Sequence, residues 1–197
     1  MAGPRAKVGV LSLQGDFAAH GAALERAGAE AVYVREPGHL HKLNGLVIPG
    51  GESTTMLKLL RYEPGLLDAI ARFGESKPMF GTCAGAILMA NEVSSPAQES
   101  LGVMDIAIER NAYGRQIDSR VVEIDASPEF HQRTAPGKLE AVFIRAPIIR
   151  RVGPEVNVLA SYNGDPVLVE EGNRLVATFH PELTADSRVH RFFLERL

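Results

Sequence analysis

Three short apolar runs, each leading into a glycine-bearing turn and then a helical pattern, limit what the first half of this chain can become. KVGVLSL (residues 7–13) ends at Gln14-Gly15, GLVI (45–48) at Pro49-Gly50-Gly51, and PMFG (78–81) at Thr82 and Cys83. A further short run covers Ala31–Val34. Strands this short and this continuously apolar are buried on both faces. Between them, Phe17, Ala18, Leu24 and Ala27 mark a helix that begins after Asp16 as N-cap and stops at Gly28. Ser53 or Thr54 is expected to cap a second helix through Met56, Leu57, Leu59 and Leu60, a third covers Leu66–Phe73, and AGAILMA is helical after Cys83. Strands alternating with helices specify a parallel sheet covered on both sides.

The second half reads differently. Val103–Glu109, Arg120–Ile124, Ala141–Ile144, Val156–Ser161, Pro166–Glu170 and Leu175–Thr178 are strand-like and closely spaced, with turn residues Asn163-Gly164-Asp165 and Glu171-Gly172-Asn173 between some of them. These predict antiparallel additions at one side of the sheet, before a last helix over Thr184–Leu197. The predicted fold class is therefore α/β: a three-layer sandwich with a mostly parallel, flavodoxin-like central sheet and antiparallel strand additions in the C-terminal half. A length of 197 residues fits one domain spanning 1–197.

Composition excludes more than it selects. A net charge of −3 and a pI near 6.1 give no basic footprint for nucleic acid or an anionic membrane. No apolar run approaches the roughly 20 residues of a membrane span, and the basic start MAGPRAK leads into a strand-like run and not a signal-peptide core. A single cysteine rules out an internal disulfide, so a reducing, cytoplasmic setting is expected.

That cysteine, Cys83, lies in G-T-C-A-G where strand hands over to helix. Parallel sheets bind ligands beyond the carboxyl ends of their strands, and G-x-C-x-G is the cysteine form of a nucleophile elbow. Gly81 and Gly85 leave room for a strained central residue, and a helix N-terminus favours a thiolate and offers backbone N–H groups to an oxyanion. The competing reading is a cysteine that merely packs.

A thiolate nucleophile needs a base and the base an orienter. Of six histidines, His20, His39, His41, His131 and His190 are expected to be solvated, and no Cys/His spacing defines a metal site. His180 ends the apolar run Leu175–Phe179 and precedes Pro181-Glu182. In extended backbone Glu182 would face the same side as His180 and fix its tautomer. Pro49-Gly50-Gly51-Glu52-Ser53-Thr54 supplies a third strand-end turn, able to present N–H groups inward. It lacks the G-K-[ST] ending of a phosphate loop.

Together these residues resemble the triad-type (class I) glutamine amidotransferases, and within them the glutaminase subunits of pyridoxal 5′-phosphate synthase. GVLSLQGD (9–16), LVIPGGESTTM (46–56), KPMFGTCAGAI (77–87), ERNAYGRQ (109–116), VFIRAP (142–147) and FHPELT (179–184) are the similar stretches, in the family's order from end to end. The resemblance implies hydrolysis of L-glutamine to glutamate and ammonia, with Cys83 as nucleophile, His180 as base and then acid, and Glu182 as orienter. It implies an oxyanion hole from the backbone of Gly51 and Ala84. It further implies glutamine contacts from Gly51, Glu52, Ser53, Arg110, Ile144 and Arg145, no cofactor and no metal. It implies a (β/α)₈ synthase subunit as partner in a large hetero-oligomer, receiving ammonia for vitamin B6 biosynthesis. Ser12, Asp16, Ala86 and Tyr113 depart from the commoner family residues, which leaves docking near Asp16 open. A glutaminase of another ammonia-using synthase, a cysteine peptidase of related fold and a non-catalytic glutamine-binding module are the alternatives.

Overall fold

The computed structural model describes residues 4–111 and 119–197. In chain order the first half holds β1 (Lys7–Leu11), α1 (Phe17–Ala27), β2 (Glu30–Val34), β3 (Gly45–Ile48), α2 (Ser53–Tyr62), α3 (Leu66–Ser76), β4 (Met79–Thr82) and α4 (Ala84–Met89). The second half adds β5 (Ala90–Ser94), β6 (Met104–Glu109), β7 (Ser119–Ile124), α5 (Pro128–Arg133), β8 (Leu139–Ile144), β9 (Ile148–Val152), β10 (Asn157–Tyr162), β11 (Asp165–Glu171), β12 (Arg174–Ala177) and α6 (Arg188–Leu194).

Seven strands form the central sheet in the order β10-β11-β12-β4-β3-β1-β2. The stretch from β2 to β12 is parallel throughout, and β10 and β11 extend one edge antiparallel. The parallel part has the order 2-1-3-4 followed by the last strand, the flavodoxin-like winding. The β10–β11 connection is a two-residue turn in which Asn163 and Gly164 both have positive φ (52° and 89°), as the favoured hairpin geometry demands.

Side-chain alternation divides the core into two. Leu46, Ile48, Met79 and Val176 face Met56, Leu60 and Ile70 of α2 and α3 and Leu88 of α4. Val47, Phe80, Leu175 and Ala177 face Leu24 of α1, Phe130 of α5 and Phe192 and Phe193 of α6. A period-2 strand buried on both faces gives this division directly.

The antiparallel additions are not all edge strands of the main sheet. β6, expected among the antiparallel additions, pairs parallel with β5 and antiparallel with β9 in a separate three-stranded sheet, and β7 with β8 forms a two-stranded antiparallel one. Strands β5 and β9 and helix α5 were not anticipated. ANEVS and IIRRV carry charge and expose part of their length, and Phe130 is the buried side chain of α5. The final helix is shorter than expected, Arg188–Leu194, because Thr184 and Asp186 side chains accept the backbone N–H groups of Asp186 and Arg188 in a turn ahead of it. The first strand ends at Leu11, two residues early.

The turn from β4 into α4 is the tightest packing in the sheet. A Cβ on Gly85 would fall well inside contact with the Ile48 carbonyl oxygen of β3, and one on Gly81 would sit 2.7 Å from the Gly85 backbone. Neither backbone can move without breaking the sheet. Gly85→Ala is therefore expected to destabilise the fold by about 3 kcal/mol, read as a lower urea midpoint at unchanged slope.

Candidate active site

Cys83 sits at φ 46°, ψ −102°, a conformation that L-residues avoid. Its N–H donates to the Ala177 carbonyl of β12 at 2.9 Å, and its own carbonyl accepts from Ile87 at 3.2 Å. The strained residue is thus pinned by the neighbouring strand on one side and by its own helix on the other. The Ala84 N–H belongs to the first turn of α4, where the helix supplies no acceptor for it.

His180 lies three residues past β12, its N–H donating to Val142 of β8 at 2.8 Å. Its Nδ1 is 2.8 Å from Glu182 Oε1, and both side chains are almost wholly buried. The pairing comes about through the 3₁₀ turn at Pro181–Leu183 and not the extended backbone expected. Cys83 lies near enough to act on His180, and its Sγ reaches the Ile144 carbonyl oxygen at 3.9 Å. Burial alone would lower its pKa. The hydrogen bonds and negative charge of Cys83 and Glu182 outweigh burial and raise it to about 10. The imidazole is therefore held as an imidazolium between sulfur and carboxylate.

Gly50 lies between Cys83 and His180, since a Cβ there would overlap His180 Cε1 and stand 3.3 Å from Cys83 Cβ. Gly51 has φ 152°, and the side chain of Gln14 occupies the space a Cβ would take. Gln14 Oε1 accepts the Glu52 N–H at 3.0 Å, so the first loop braces the third. Gly51, Glu52, Ser53, Cys83, Arg110, Ile144, Arg145 and His180 line a cavity of about 260 Å³, together with Asp16, Ile87 and Asn111. That is just below the roughly 300–1,000 Å³ of sites for drug-sized ligands, a size for a single amino acid.

Residues 10–197 match the model of the SNO glutamine amidotransferase family. The chain belongs to this family. A protein of Solibacter usitatus named pyridoxal 5′-phosphate synthase subunit PdxT is 69% identical over 191 residues, 97% of this chain and 99% of that protein. Its namesake from Koribacter versatilis is 53% identical over 96% of this chain and 94% of its own length. A crystal structure described as a glutamine amidotransferase superposes with a TM-score of 0.86 at 48% identity, covering 96% of this chain and 97% of that one.

The amidotransferase cavity departs from the sequence reading at several residues. The N-cap of α2 is Glu52, whose carboxylate accepts from the N–H groups of Thr54 (3.0 Å) and Thr55 (2.7 Å). Neither Ser53 nor Thr54 is the cap. Slight burial would raise the Glu52 pKa, but these bonds and the Thr55 hydroxyl lower it to about 2. Arg110 donates to Thr54 Oγ1 at 2.8 Å and lies 3.6 Å from Glu52 Oε1. Arg145, at positive φ (47°), borders the same cavity from the end of β8. Residues 112–116 of the ERNAYGRQ stretch, Tyr113 among them, lie outside the described residues.

Asp16 takes the N-cap position of α1 but makes no capping bond. It lines the cavity instead, and its carboxylate comes within 4.8 Å of ligand atoms of His180 and Glu182. Within this group His180 Nδ1 is already engaged by Glu182 Oε1. Among the histidines, His39 and His41 are exposed as expected and His131 is half-buried. His20 and His190 are not solvated: both are fully buried behind Glu182. Their positions carried a signal, because His20 falls on the Phe17/Gly21/Leu24 stripe and His190 beside Val189 and Phe193.

Two outcomes follow from this geometry. In NMR titrations His180 should lose its proton near pH 10 in the native protein and at clearly lower pH in Cys83→Ala. Because that pKa lies above the unfolded value near 6.5, the charged pair stabilises the fold below about pH 6.5. This contribution fades as pH rises toward 10, a decline that denaturant midpoints should show and that His180→Gln should remove.

Proposed function

We propose that Cys83 is the nucleophile, His180 the general base and acid, and Glu182 the group that orients His180. The cavity would hold L-glutamine on Gly51, Glu52, Ser53, Arg110, Ile144 and Arg145. The observation that carries this reading is the buried Cys83–His180–Glu182 line opening on an amino-acid-sized cavity. A glutamine-binding module without catalysis has no use for a strained thiol against an imidazolium.

The enzyme is a glutaminase that hydrolyses L-glutamine to L-glutamate and ammonia and passes the ammonia on for pyridoxal 5′-phosphate (vitamin B6) synthesis. In the proposed sequence the thiolate attacks the side-chain amide carbon, and the N–H groups of Gly51 and Ala84 receive the charge that develops on oxygen. His180 gives its proton to the amide nitrogen, the C–N bond breaks and ammonia leaves. A γ-glutamyl thioester remains. His180 then takes a proton from water, whose oxygen attacks the thioester carbon, and glutamate departs as the thiolate returns.

Arg110 suits the α-carboxylate because a guanidinium offers two parallel donors, and Glu52 with Thr54 holds it ready. The chain is a subunit of the pyridoxal 5′-phosphate synthase complex. We place it there against a (β/α)₈ synthase subunit, in a large cytoplasmic hetero-oligomer, as one domain spanning 1–197. No helix among the described residues is long and apolar enough to cross a membrane.

Ammonia release from glutamine, measured with and without the synthase subunit, tests the scheme. Cys83→Ala should lower turnover by about 10⁴-fold or more; surviving activity would remove Cys83 from the mechanism. Arg110→Lys should raise KM about 10- to 100-fold at nearly constant kcat, the loss of a charge-assisted bond pair. Turnover indifferent to the synthase subunit would overturn the partner assignment.

A further inference from the structure

Behind the triad, away from the cavity, lies a second polar chain. The Glu182 side chain is fully buried, and its Oε2 has no hydrogen-bond partner among the described residues. His20 Nε2 stands 3.3 Å from that oxygen and 2.9 Å from Thr82 Oγ1, next to Cys83 in the chain. His20 Nδ1 stands 3.1 Å from His190 Nε2. Phe80 closes the space, its ring edge-on to both imidazoles at centroid distances of 6.0 and 5.7 Å.

Donor accounting sets the tautomers. His190 Nδ1 has no partner. A proton there would be an orphaned buried donor, whereas a bare lone pair costs less. His190 therefore carries its hydrogen on Nε2 and donates to His20 Nδ1. His20 must then carry its single ring hydrogen on Nε2, where Thr82 Oγ1 at 2.9 Å is the nearer acceptor and Glu182 Oε2 at 3.3 Å the carboxylate one. Burial, and after it the neighbouring His190 and His180, holds the His20 pKa well below the ordinary value, so His20 acts as a neutral donor. Burial likewise lowers that of His190 to about 3, with Arg26 adding to it. The chain thus runs from His190 through His20 to Glu182, and Glu182 accepts from His180 at its other oxygen.

We propose that His20, oriented by His190, is a positioning residue for the glutaminase reaction: its Nε2–H steadies the second oxygen of Glu182 so that the first stays aimed at His180. This rests on the triad reading above. The 3.3 Å contact is longer than a finished hydrogen bond, as contacts of catalytic groups often are before substrate is bound. A neutral donor suits the position. A cation there would compete with His180 for the carboxylate, and an apolar residue would leave Oε2 free to turn away.

Side-chain reach provides the test. In His20→Gln the amide reaches the Nε2 position, and in His20→Asn only the Nδ1 position. Both are assayed for ammonia release in the complex with the synthase subunit, beside Cys83→Ala. His20→Asn should lose about 10- to 100-fold in kcat, the scale for a slightly misaimed catalytic group, with KM within about twofold. His20→Gln should stay within about fivefold of the native kcat. The Nδ1–H proton resonance of His180 should move upfield in Asn and not in Gln. Equal kcat for the two variants, or an unmoved His180 resonance in Asn, would overturn the proposal. His190→Phe, which keeps the volume and removes the donor, should lower kcat about three- to tenfold; native kcat there would overturn the part given to His190. Failure of the triad reading shows separately, as activity in Cys83→Ala.

Discussion

The seating of β4 between β3 and β12 is the constraint on which the rest depends. Ile48 pairs with Gly81 and Ala177 with Thr82, so three parallel strands end nearly level. Each then releases one part of the site within a few residues: Gly50-Gly51, Cys83 and His180. The Cys83 N–H bond to Ala177 fixes the strained residue to the strand that leads to His180. Glycine at positions 50, 81 and 85 lets the backbones close to this degree, because a Cβ at each would overlap a neighbour. Strain at Cys83 is tolerated because hydrogen bonds on both sides leave it no other conformation.

The charges around the site are held by short-range partners. Glu52 is fixed by two backbone N–H groups and a hydroxyl, so it can face Arg110 without neutralising the cavity's binding capacity. His180 is charged between Cys83 and Glu182, whereas His20 and His190, a few ångströms deeper, are kept neutral by burial. Three histidines in one wall thus hold different protonation states, each set by what the imidazole touches.

Much of this was legible in the residues. The parallel half was readable because each of its strands is short, continuously apolar and followed by glycine or a cap residue. Cys83, His180 and Glu182 could be picked out because they follow such strands directly. The rest was hidden for physical reasons. β5 and β9 lie in a small partly exposed sheet and carry charges that mask their pairing. Glu52 displaced Ser53 as cap because its longer side chain reaches the Thr54 and Thr55 amides from outside the helix. Asp16 read as a cap by residue type, yet its carboxylate points to the cavity. His20 and His190 were judged by polarity, when their places on the apolar stripes of α1 and α6 were the better guide.

Arg110 and Arg145 come from the ends of β6 and β8, which belong to the two small sheets and not to the central one. Cys83 with the glycine turn beside it, and the two arginines, are therefore mounted on separate pieces of architecture. The first set is locked by main-chain bonds and glycine contacts in the sheet. The second is carried on outlying strands, one of which, β8, also holds the His180 N–H through the Val142 carbonyl. A scaffold divided in this way lets β6 vary without touching the main-chain bonds of Cys83 and His180, whereas a shift of β8 would carry His180 with it.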